Sequence, residues 1–423
     1  MPKRSSKNLW RQVQPSDLRA AAQLITQATL SVSRMAEGVH QAVWRTLGAA
    51  QGEQPGTTRG LTGLVYKSIN GVTRGVGRGV DGALARLLPL LAPPNTSTPD
   101  SPQRDALVAA LNGVMGDHLA ASHNPLATPM TLRWQGQVLD WQHPPQPTEV
   151  SGKVLLLIHG LCMNDQQWQD ARTGHDHGAT LAAALGYTPV YVRYNSGLHT
   201  SQNAQLLAQQ LEALVTHWPT PVTELTVLAH SMGGLVVRGA LPLATQAGQR
   251  WPTVLKNMVF LGTPHHGAPL ERAGNWVDVM LASTPYSAPF VKLGHLRSAG
   301  ITDLRYGHVL DVDWLGHNRF HRRPDTRQPV PLPEGVACFT VAATLASQRG
   351  AVADRLVGDG LVPLPSALGQ HEEPDRQLHF AKSSQLTAFK TTHLGLLQSP
   401  EVSAQLLTWL QAKAKTKPSR VNP

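Results

Sequence analysis

The chain has 423 residues, of which 41% are hydrophobic, so it is long enough for one large core and an accessory region. It carries 37 Lys and Arg against 27 Asp and Glu, and this balance of +10 suits anionic surfaces, either lipid or nucleic acid, although it also serves solubility alone. The two cysteines, Cys162 and Cys338, imply no disulfide framework and favour a reducing compartment, although they could still pair in the periplasm.

Residues 1–100 are predicted to form a helical segment, ending in a linker rich in Pro, Ser and Thr. Its basic start is followed by no apolar core, so we predict no signal peptide. Apolar residues recur every seven positions near its start, which indicates a short helix–helix seam (Leu18, Ile25, Val32 and Val39).

Residues 61–91 show a different period, with Leu61, Val72 and Ala83 spaced eleven apart. That period keeps one apolar stripe on a nearly straight helix, and basic residues occupy other positions (Lys67, Arg74, Arg78 and Arg86). A basic amphipathic helix is typical of lipid-surface binding, but the stripe could equally pack on the rest of the chain. The predicted location is cytoplasmic, and the first interpretation would place the protein peripherally on a membrane or lipid granule.

Residues 101–423 alternate short apolar runs with helical patterns. Five runs read as strands: 154–158, 189–194, 225–229, 258–261 and 339–343. Such alternation predicts an α/β fold with a mostly parallel sheet covered by helices on both faces. In such sheets the active site lies at the carboxyl ends of the strands.

Ser231 lies between the strand 225–229 and a helical pattern that begins near Leu235. Ala229 and Gly233 flank it two residues away on either side, as a sharp strand–turn–helix elbow requires. Ala229 stands where the strict G-x-S-x-G pattern has glycine, but its methyl group still meets the steric need. The pattern predicts a nucleophilic serine.

The segments 155–161, 228–235 and 261–267 resemble the lipase/esterase branch of the α/β-hydrolase superfamily, and are similar to bacterial proteins of the inositol-deacylase-like group. The resemblance covers roughly residues 105–410. It implies that the backbone N–H groups of Leu161 and Met232 form an oxyanion hole. Five residues are expected at the rim of the site: His159, which would brace the loop, Gly160, His230, His265 and His266.

The same fold places the acid and then the base after the serine in chain order. Asp359 lies between two glycines after the strand 339–343, and His393 precedes the last predicted helix, so we predict these two. Rival acids are Asp354, Asp303, Asp311 and Asp313. Rival bases are His371, in a polar loop, and His379, in a stretch that reads as strand.

About 70 residues separate Gly267 from the strand 339–343, far more than an ordinary connection. We predict a cap or lid over Ser231, spanning about 268–335. Its apolar and aromatic residues would suit an acyl chain: Trp276, Val277, Met280, Leu281, Tyr286, Phe290, Val291 and Leu293. A surface excursion is the alternative.

No metal or organic cofactor is expected. His175 and His177 could both touch a metal, but no further ligands are spaced to complete a site, so a solvated loop is favoured. Cys162 is expected to be a small packed residue. No nucleic-acid recognition motif is present. The sequence therefore predicts a serine hydrolase of carboxylic esters or lipids, with acyl transfer or a non-catalytic scaffold at a lipid surface as alternatives.

Overall fold

The computed structural model describes residues 102–268, 297–319, 324–347 and 358–414. The features below lie in one compact unit, Pro102–Ala120 with Ala127–Pro423. The seam near the N-terminus, the stripe of 61–91 and the predicted lid residues between Trp276 and Leu293 lie outside the described residues. None of the helices in the described ranges is long and apolar enough to cross a bilayer.

The described strands form a single eight-stranded sheet. They are β1 (Thr131–Trp134), β2 (Gln137–Val138), β3 (Lys153–Ile158), β4 (Thr188–Arg193), β5 (Glu224–His230), β6 (Leu255–Leu261), β7 (Ala337–Thr344) and β8 (Gln385–Phe389). Their order across the sheet is β2-β1-β4-β3-β5-β6-β7-β8. β1 is antiparallel to both its neighbours, and all the other pairs are parallel. The five predicted strands are confirmed.

The described helices follow the strands along the chain. They are α1 (Pro102–Ala121), α2 (His177–Leu185), α3 (Thr200–His217), α4 (Met232–Gln246), α5 (Trp251–Val254), α6 (Ala299–Asp303), α7 (Leu364–Ala367) and α8 (Pro400–Ala414). α2 shows why they begin and end where they do. The Asp176 side chain accepts from the Ala179 N–H at its start, and Gly186 in the left-handed conformation ends it.

Side-chain alternation along the strands gives the sheet two buried faces. In β3, Val154, Leu156 and Ile158 pack with residues of α3 and α4 on one face. Leu155 and Leu157 point the other way and pack with residues of α2 and α8. A continuous apolar run is required for a strand covered on both faces. This three-layer arrangement is an α/β fold of the hydrolase type, as predicted.

The predicted strand around His379 is wrong. Leu378 and Phe380 are buried in the core, whereas His379 is exposed, so the segment alternates as a strand does. It has no place in the sheet; the last strand is β8, which pairs with β7. β8 escaped prediction because it lies at the sheet edge and its side chains are mostly only partly buried.

The described part of the stretch after β6 packs on the core. Ile301, Leu304 and Val309 lie in one apolar cluster with Leu161 and Met232. The backbone N–H of Gly300 donates, at 3.1 Å, to the carbonyl of Gly197, which lies beyond the end of β4. This part of the insertion therefore lies near the carboxyl ends of the central strands.

Candidate active site

Ser231 occupies a strained turn between β5 and α4. Its φ and ψ angles are 54° and −124°, a conformation that non-glycine residues rarely adopt. The turn is tight because neighbours are close on both sides. A side-chain carbon on Gly233 would lie 2.6 Å from the Ile158 carbonyl oxygen, and one on Gly234 would lie 2.1 Å from Thr263 Oγ1. The predicted elbow is therefore present, with Ser231 at its tip.

Asp359 and His393 are hydrogen bonded to each other. The distance from His393 Nδ1 to Asp359 Oδ2 is 2.6 Å. The other carboxylate oxygen accepts from the backbone N–H groups of Leu361 (2.9 Å) and Val362 (2.8 Å). The His393 N–H also donates to the Asp359 carbonyl, at 3.2 Å. With Nδ1–H donated to the carboxylate, Nε2 of His393 is the nitrogen left to accept a proton.

The elbow and the loop that carries His393 meet at the end of β6. The backbone N–H of Ser231 donates to the Leu261 carbonyl at 2.8 Å. The next residue, Gly262, is so close to the His393 ring that a side-chain carbon there would lie 3.1 Å from both Cε1 and Nδ1. Ser231, Asp359 and His393 thus all lie beyond the carboxyl ends of parallel strands, and their exposed fractions are 6%, 3% and 5%.

The loop after β3 approaches Ser231 closely. A side-chain carbon on Gly160 would lie 3.0 Å from Ser231 Cβ and 3.1 Å from His230 Nδ1, so a larger residue would crowd both. Leu161 and Met232 are both buried. Neither backbone N–H has an acceptor within the part of the chain that the structure describes. Two free donors beside the serine match what an oxyanion hole needs.

His159 is fully buried and holds this loop. Its Nδ1–H donates to the Gly160 carbonyl at 2.8 Å, and its Nε2 accepts from the Tyr194 N–H at 3.4 Å. Its ring stacks on Tyr194 with the centroids 4.3 Å apart. Burial lowers the pKa of His159 to about 4, so the ring is neutral at neutral pH.

His265 and His266 contact two arginines. Arg238 Nη1 lies 3.4 Å from His265 Nδ1, and Arg327 Nη2 donates to His266 Nδ1 at 2.9 Å. Arg327 also donates to the carbonyls of His265 and Tyr306. Burial lowers the pKa of Arg238 to about 9 and that of His266 to about 3. The structure places these two histidines in a polar cluster that fastens the insertion, and brings His159, Gly160 and His230 to Ser231.

The rival acids and bases that the structure describes lie elsewhere. Asp303 is hydrogen bonded to His199 (3.0 Å), and Asp313 accepts from the N–H groups of Val309 and Leu310. Asp311 accepts from Gln205 on the surface. His379 is exposed, and the His371 ring lies 4.8 Å from that of His266. Asp354 lies outside the described residues.

The prediction of a solvated loop at His175 and His177 is wrong for His177, which is the first residue of α2 and fully buried. Its Nδ1 accepts from the Ser403 hydroxyl at 2.6 Å, and its Nε2–H donates to the Leu396 carbonyl at 2.8 Å. His175 Nε2 lies 3.1 Å from the Ser403 hydroxyl. Within the described ranges, no three His, Cys, Asp or Glu residues are grouped as metal ligands.

The sequence analysis assigned no role to α1, which packs against the loop after β3. A side-chain carbon on Gly113 would lie 2.2 Å from Cys162 Sγ. Cys162 is buried, and burial raises the pKa of its thiol to about 12, so it is a packed, protonated residue. α1 is kinked at Met115, and side chains outside the helix bind its carbonyls there: Asn195 binds Gly116 (2.8 Å) and Ser298 binds Gly113 (2.6 Å). The spacing of Gly113 and Gly116, one helical turn apart, was the available signal.

The chain has an α/β-hydrolase fold, as its sheet order, its elbow and the loop after β7 show. A family model described as a domain of unknown function (DUF7379) matches residues 122–302. Comparison with curated proteins gives no sequence match.

Several solved lipases and esterases are similar in structure. The mature lipase BlEst2 of Bacillus licheniformis is 18% identical with a TM-score of 0.40, over 67% of this chain and 98% of that one. Lipase B of Aspergillus fumigatus is 11% identical with a TM-score of 0.40, over 66% and 56%. The Pyrococcus furiosus esterase Pf2001 is 15% identical with a TM-score of 0.35, over 62% and 83%. The fold assignment rests on the chain's own sheet and elbow.

Proposed function

We propose that this protein is a serine hydrolase that cleaves carboxylic esters through an acyl-enzyme. The observation that carries the proposal is the 2.6 Å hydrogen bond between Asp359 and His393, beside a serine held at φ 54° on a strand–helix elbow. A strained serine, an imidazole with one free nitrogen and a carboxylate that orients it are the groups that nucleophilic acyl transfer needs.

In the first half-reaction His393 Nε2 takes the Ser231 hydroxyl proton as Oγ attacks the ester carbonyl carbon. Asp359 holds the imidazole in the tautomer with Nδ1–H and stabilises the imidazolium that forms. The carbonyl oxygen becomes an oxyanion, which accepts from the Leu161 and Met232 N–H groups. Each such donor is worth about 10²–10³ in rate in comparable sites. His393 then gives its proton to the leaving alkoxide.

In the second half-reaction His393 removes a proton from water, which attacks the acyl group on Ser231. The same two N–H groups stabilise the second oxyanion, and the serine oxygen leaves with the proton from His393. The low exposure of Ser231, Asp359 and His393 strengthens every one of these electrostatic interactions, because little water competes.

The surroundings favour an apolar acyl group. Leu161 and Met232 lie in one buried cluster with Leu235, Ile301 and Leu304, so the donors are embedded in aliphatic side chains. The predicted lid of 268–335 would add further apolar surface. We therefore propose ester or lipid substrates with an aliphatic acyl chain; membership of the inositol-deacylase-like group remains a prediction from the motifs.

The decisive experiment is hydrolysis of a panel of p-nitrophenyl esters, from acetate to palmitate, by the wild type and by Ser231→Ala. Wild type is expected to turn over and to react with a fluorophosphonate probe, and Ser231→Ala to do neither. Ser383→Ala is the matched control, since Ser383 is exposed. Labelling of Ser231→Ala at the wild-type rate would refute the nucleophile, and an inert wild type would favour the scaffold alternative.

Acyl transfer is separated from hydrolysis by the product. The assay is repeated with a primary alcohol as a second acceptor, and the free acid and the new ester are measured together. A hydrolase should give the free acid as the main product as long as the alcohol is less concentrated than water. A dominant ester product would instead identify an acyltransferase with the same three residues.

A further inference from the structure

Two buried histidines outside the Ser231, Asp359 and His393 set bind the loop that carries His393. His230 Nε2 lies 3.2 Å from the carbonyl oxygen of His393 itself. His177 Nε2 lies 2.8 Å from the carbonyl oxygen of Leu396, three residues further on. A carbonyl can only accept, so in both cases the imidazole donates through Nε2–H.

The segment they bind is one that needs outside support. His393 caps a short 3₁₀ helix, Leu394–Gln398. Such helices have poor internal hydrogen-bond geometry and are seldom stable by themselves. The two imidazoles therefore hold this segment at its first residue and at its middle, one from the end of β5 and the other from the start of α2.

Both imidazoles are arranged to stay neutral donors. Ser403 donates its hydroxyl to His177 Nδ1 at 2.6 Å, which fixes the tautomer with the proton on Nε2. Burial is the main cause that lowers the pKa of His177 to about 4 and that of His230 well below its usual value. The His230 ring lies 4.7 Å from the His393 ring, so a charged His230 would oppose the imidazolium that His393 must become.

We propose that His230 and His177 are positioning residues, which fix the loop that carries His393 by hydrogen bonds to the carbonyls of His393 and Leu396. His230 has the larger share, because it binds His393 directly and also touches Gly160 of the oxyanion loop. His230 thereby links the loop that carries His393 to the loop that carries Gly160 and Leu161. This inference rests on the proposed serine-hydrolase function and deepens it.

The test compares substitutions that keep or remove the donor at similar size. In the full-length chain, His230→Gln retains an amide N–H, whereas His230→Met does not; His177→Gln and His177→Met form the second pair. His379→Ala is the control, since that histidine is exposed and contacts none of these groups. The measured quantities are kcat and KM for p-nitrophenyl butyrate and the rate of fluorophosphonate labelling.

We expect His230→Met to lower kcat and the labelling rate by roughly 30- to 100-fold, because a displacement near 1 Å of a catalytic group costs about that much. KM should change less than about twofold, and His230→Gln should recover most of the rate. The His177 pair should follow the same order with a smaller loss, of roughly tenfold for the Met variant. Equal rates for the Gln and Met variants would overturn the proposal, since the two residues would then only fill space.

A spectroscopic readout separates this inference from the proposed function. A proton shared between His393 Nδ1 and Asp359 at 2.6 Å gives a far-downfield imidazole resonance in the proton NMR spectrum, which His393→Asn identifies by its loss. The resonance should vanish or broaden in His230→Met and persist in His230→Gln. If the wild type neither hydrolyses esters nor labels, the proposed function fails, and this resonance still decides the positioning roles. An unchanged resonance in both Met variants overturns them.

Discussion

Gly113 of α1 lies directly against Cys162, the residue that follows the candidate oxyanion donor Leu161. A side-chain carbon on Gly113 would fall 2.8 Å from both the Cα and the N atom of Cys162. Because these are backbone atoms, the clash could be relieved only by moving the helix or the loop. α1 therefore sets how far Leu161 stands from Ser231.

Gly113→Ala should consequently lower kcat for p-nitrophenyl butyrate by about tenfold or more, through displacement of the Leu161 N–H. It should also lower the free energy of unfolding by about 1–3 kcal/mol, the usual cost of overpacking. The sign is informative, because Gly→Ala in an unobstructed helix stabilises by up to about 1 kcal/mol. His118→Ala, on the exposed side of α1, is the control. If Gly113→Ala is fully active and more stable than the wild type, the helix and the loop can move apart without cost.

Asp359→Asn should reduce kcat by about 10⁴ and leave KM nearly unchanged. The amide can no longer select the His393 tautomer with Nδ1–H or stabilise the imidazolium. Steady-state kinetics with a high-turnover ester will measure this, and Asp375→Asn, in the exposed 3₁₀ segment Pro374–Arg376, is the matched control. A loss below about tenfold would mean that another carboxylate orients His393.

Stability should fall as the pH drops from about 6.5 to about 4. Burial lowers the pKa of His159 and His177 from 6.5 to about 4. Between those values the unfolded chain binds more protons than the folded one, so protonation favours unfolding. The stabilisation is complete above pH 6.5 and is lost toward pH 4, at up to roughly 3 kcal/mol for each buried group.

The measurement is the melting temperature between pH 4.5 and pH 7.5, for the wild type and for His177→Gln. Removing one titrating imidazole should flatten the dependence, since the variant takes up fewer protons on unfolding. Identical slopes would indicate that His177 titrates alike in the folded and unfolded chains.

The segment 61–91 should bind anionic lipid surfaces. Its eleven-residue apolar stripe and its basic residues fit a helix lying on a membrane. Replacing Arg74 and Arg78 by Glu in the full-length chain should reduce sedimentation with phosphatidylserine vesicles, and raising the salt should weaken wild-type binding. Hydrolysis of a soluble short-chain ester should not change. Undiminished vesicle binding by the double variant would contradict this role.

The strands and the elbow were accessible from the sequence because each depends on a local pattern. A continuous apolar run such as 154–158 identifies a buried strand, and small residues around Ser231 identify a sharp turn. The order of serine, acid and base along the chain then narrows the remaining candidates, and the structure has Asp359 and His393 hydrogen bonded.

Contacts between distant segments were not accessible in this way. Nothing near His177 in the sequence reveals that Leu396 and Ser403 will satisfy both its nitrogens. His379 was misread as a strand residue because burial of its two neighbours copies the alternation of a strand without any sheet pairing. An apolar pattern in the sequence indicates which side chains are buried, but the partners that they contact are known only from the folded structure.

The kink of α1 at Met115 has a consequence for how the chain folds. Beside the kink, the carbonyl of Gly113 accepts from the hydroxyl of Ser298, 185 residues later in the chain, and His177 binds the carbonyl of Leu396 across 219 residues. During synthesis α1 emerges long before Ser298, and α2 long before Leu396, so apolar residues of α1 such as Val114 stay uncovered in the meantime. Closing such long loops is slow, and an incomplete chain with exposed apolar surface is expected to need chaperones. The arrangement of His393 should thus form late, when the segment that carries it packs on helices that were synthesised much earlier.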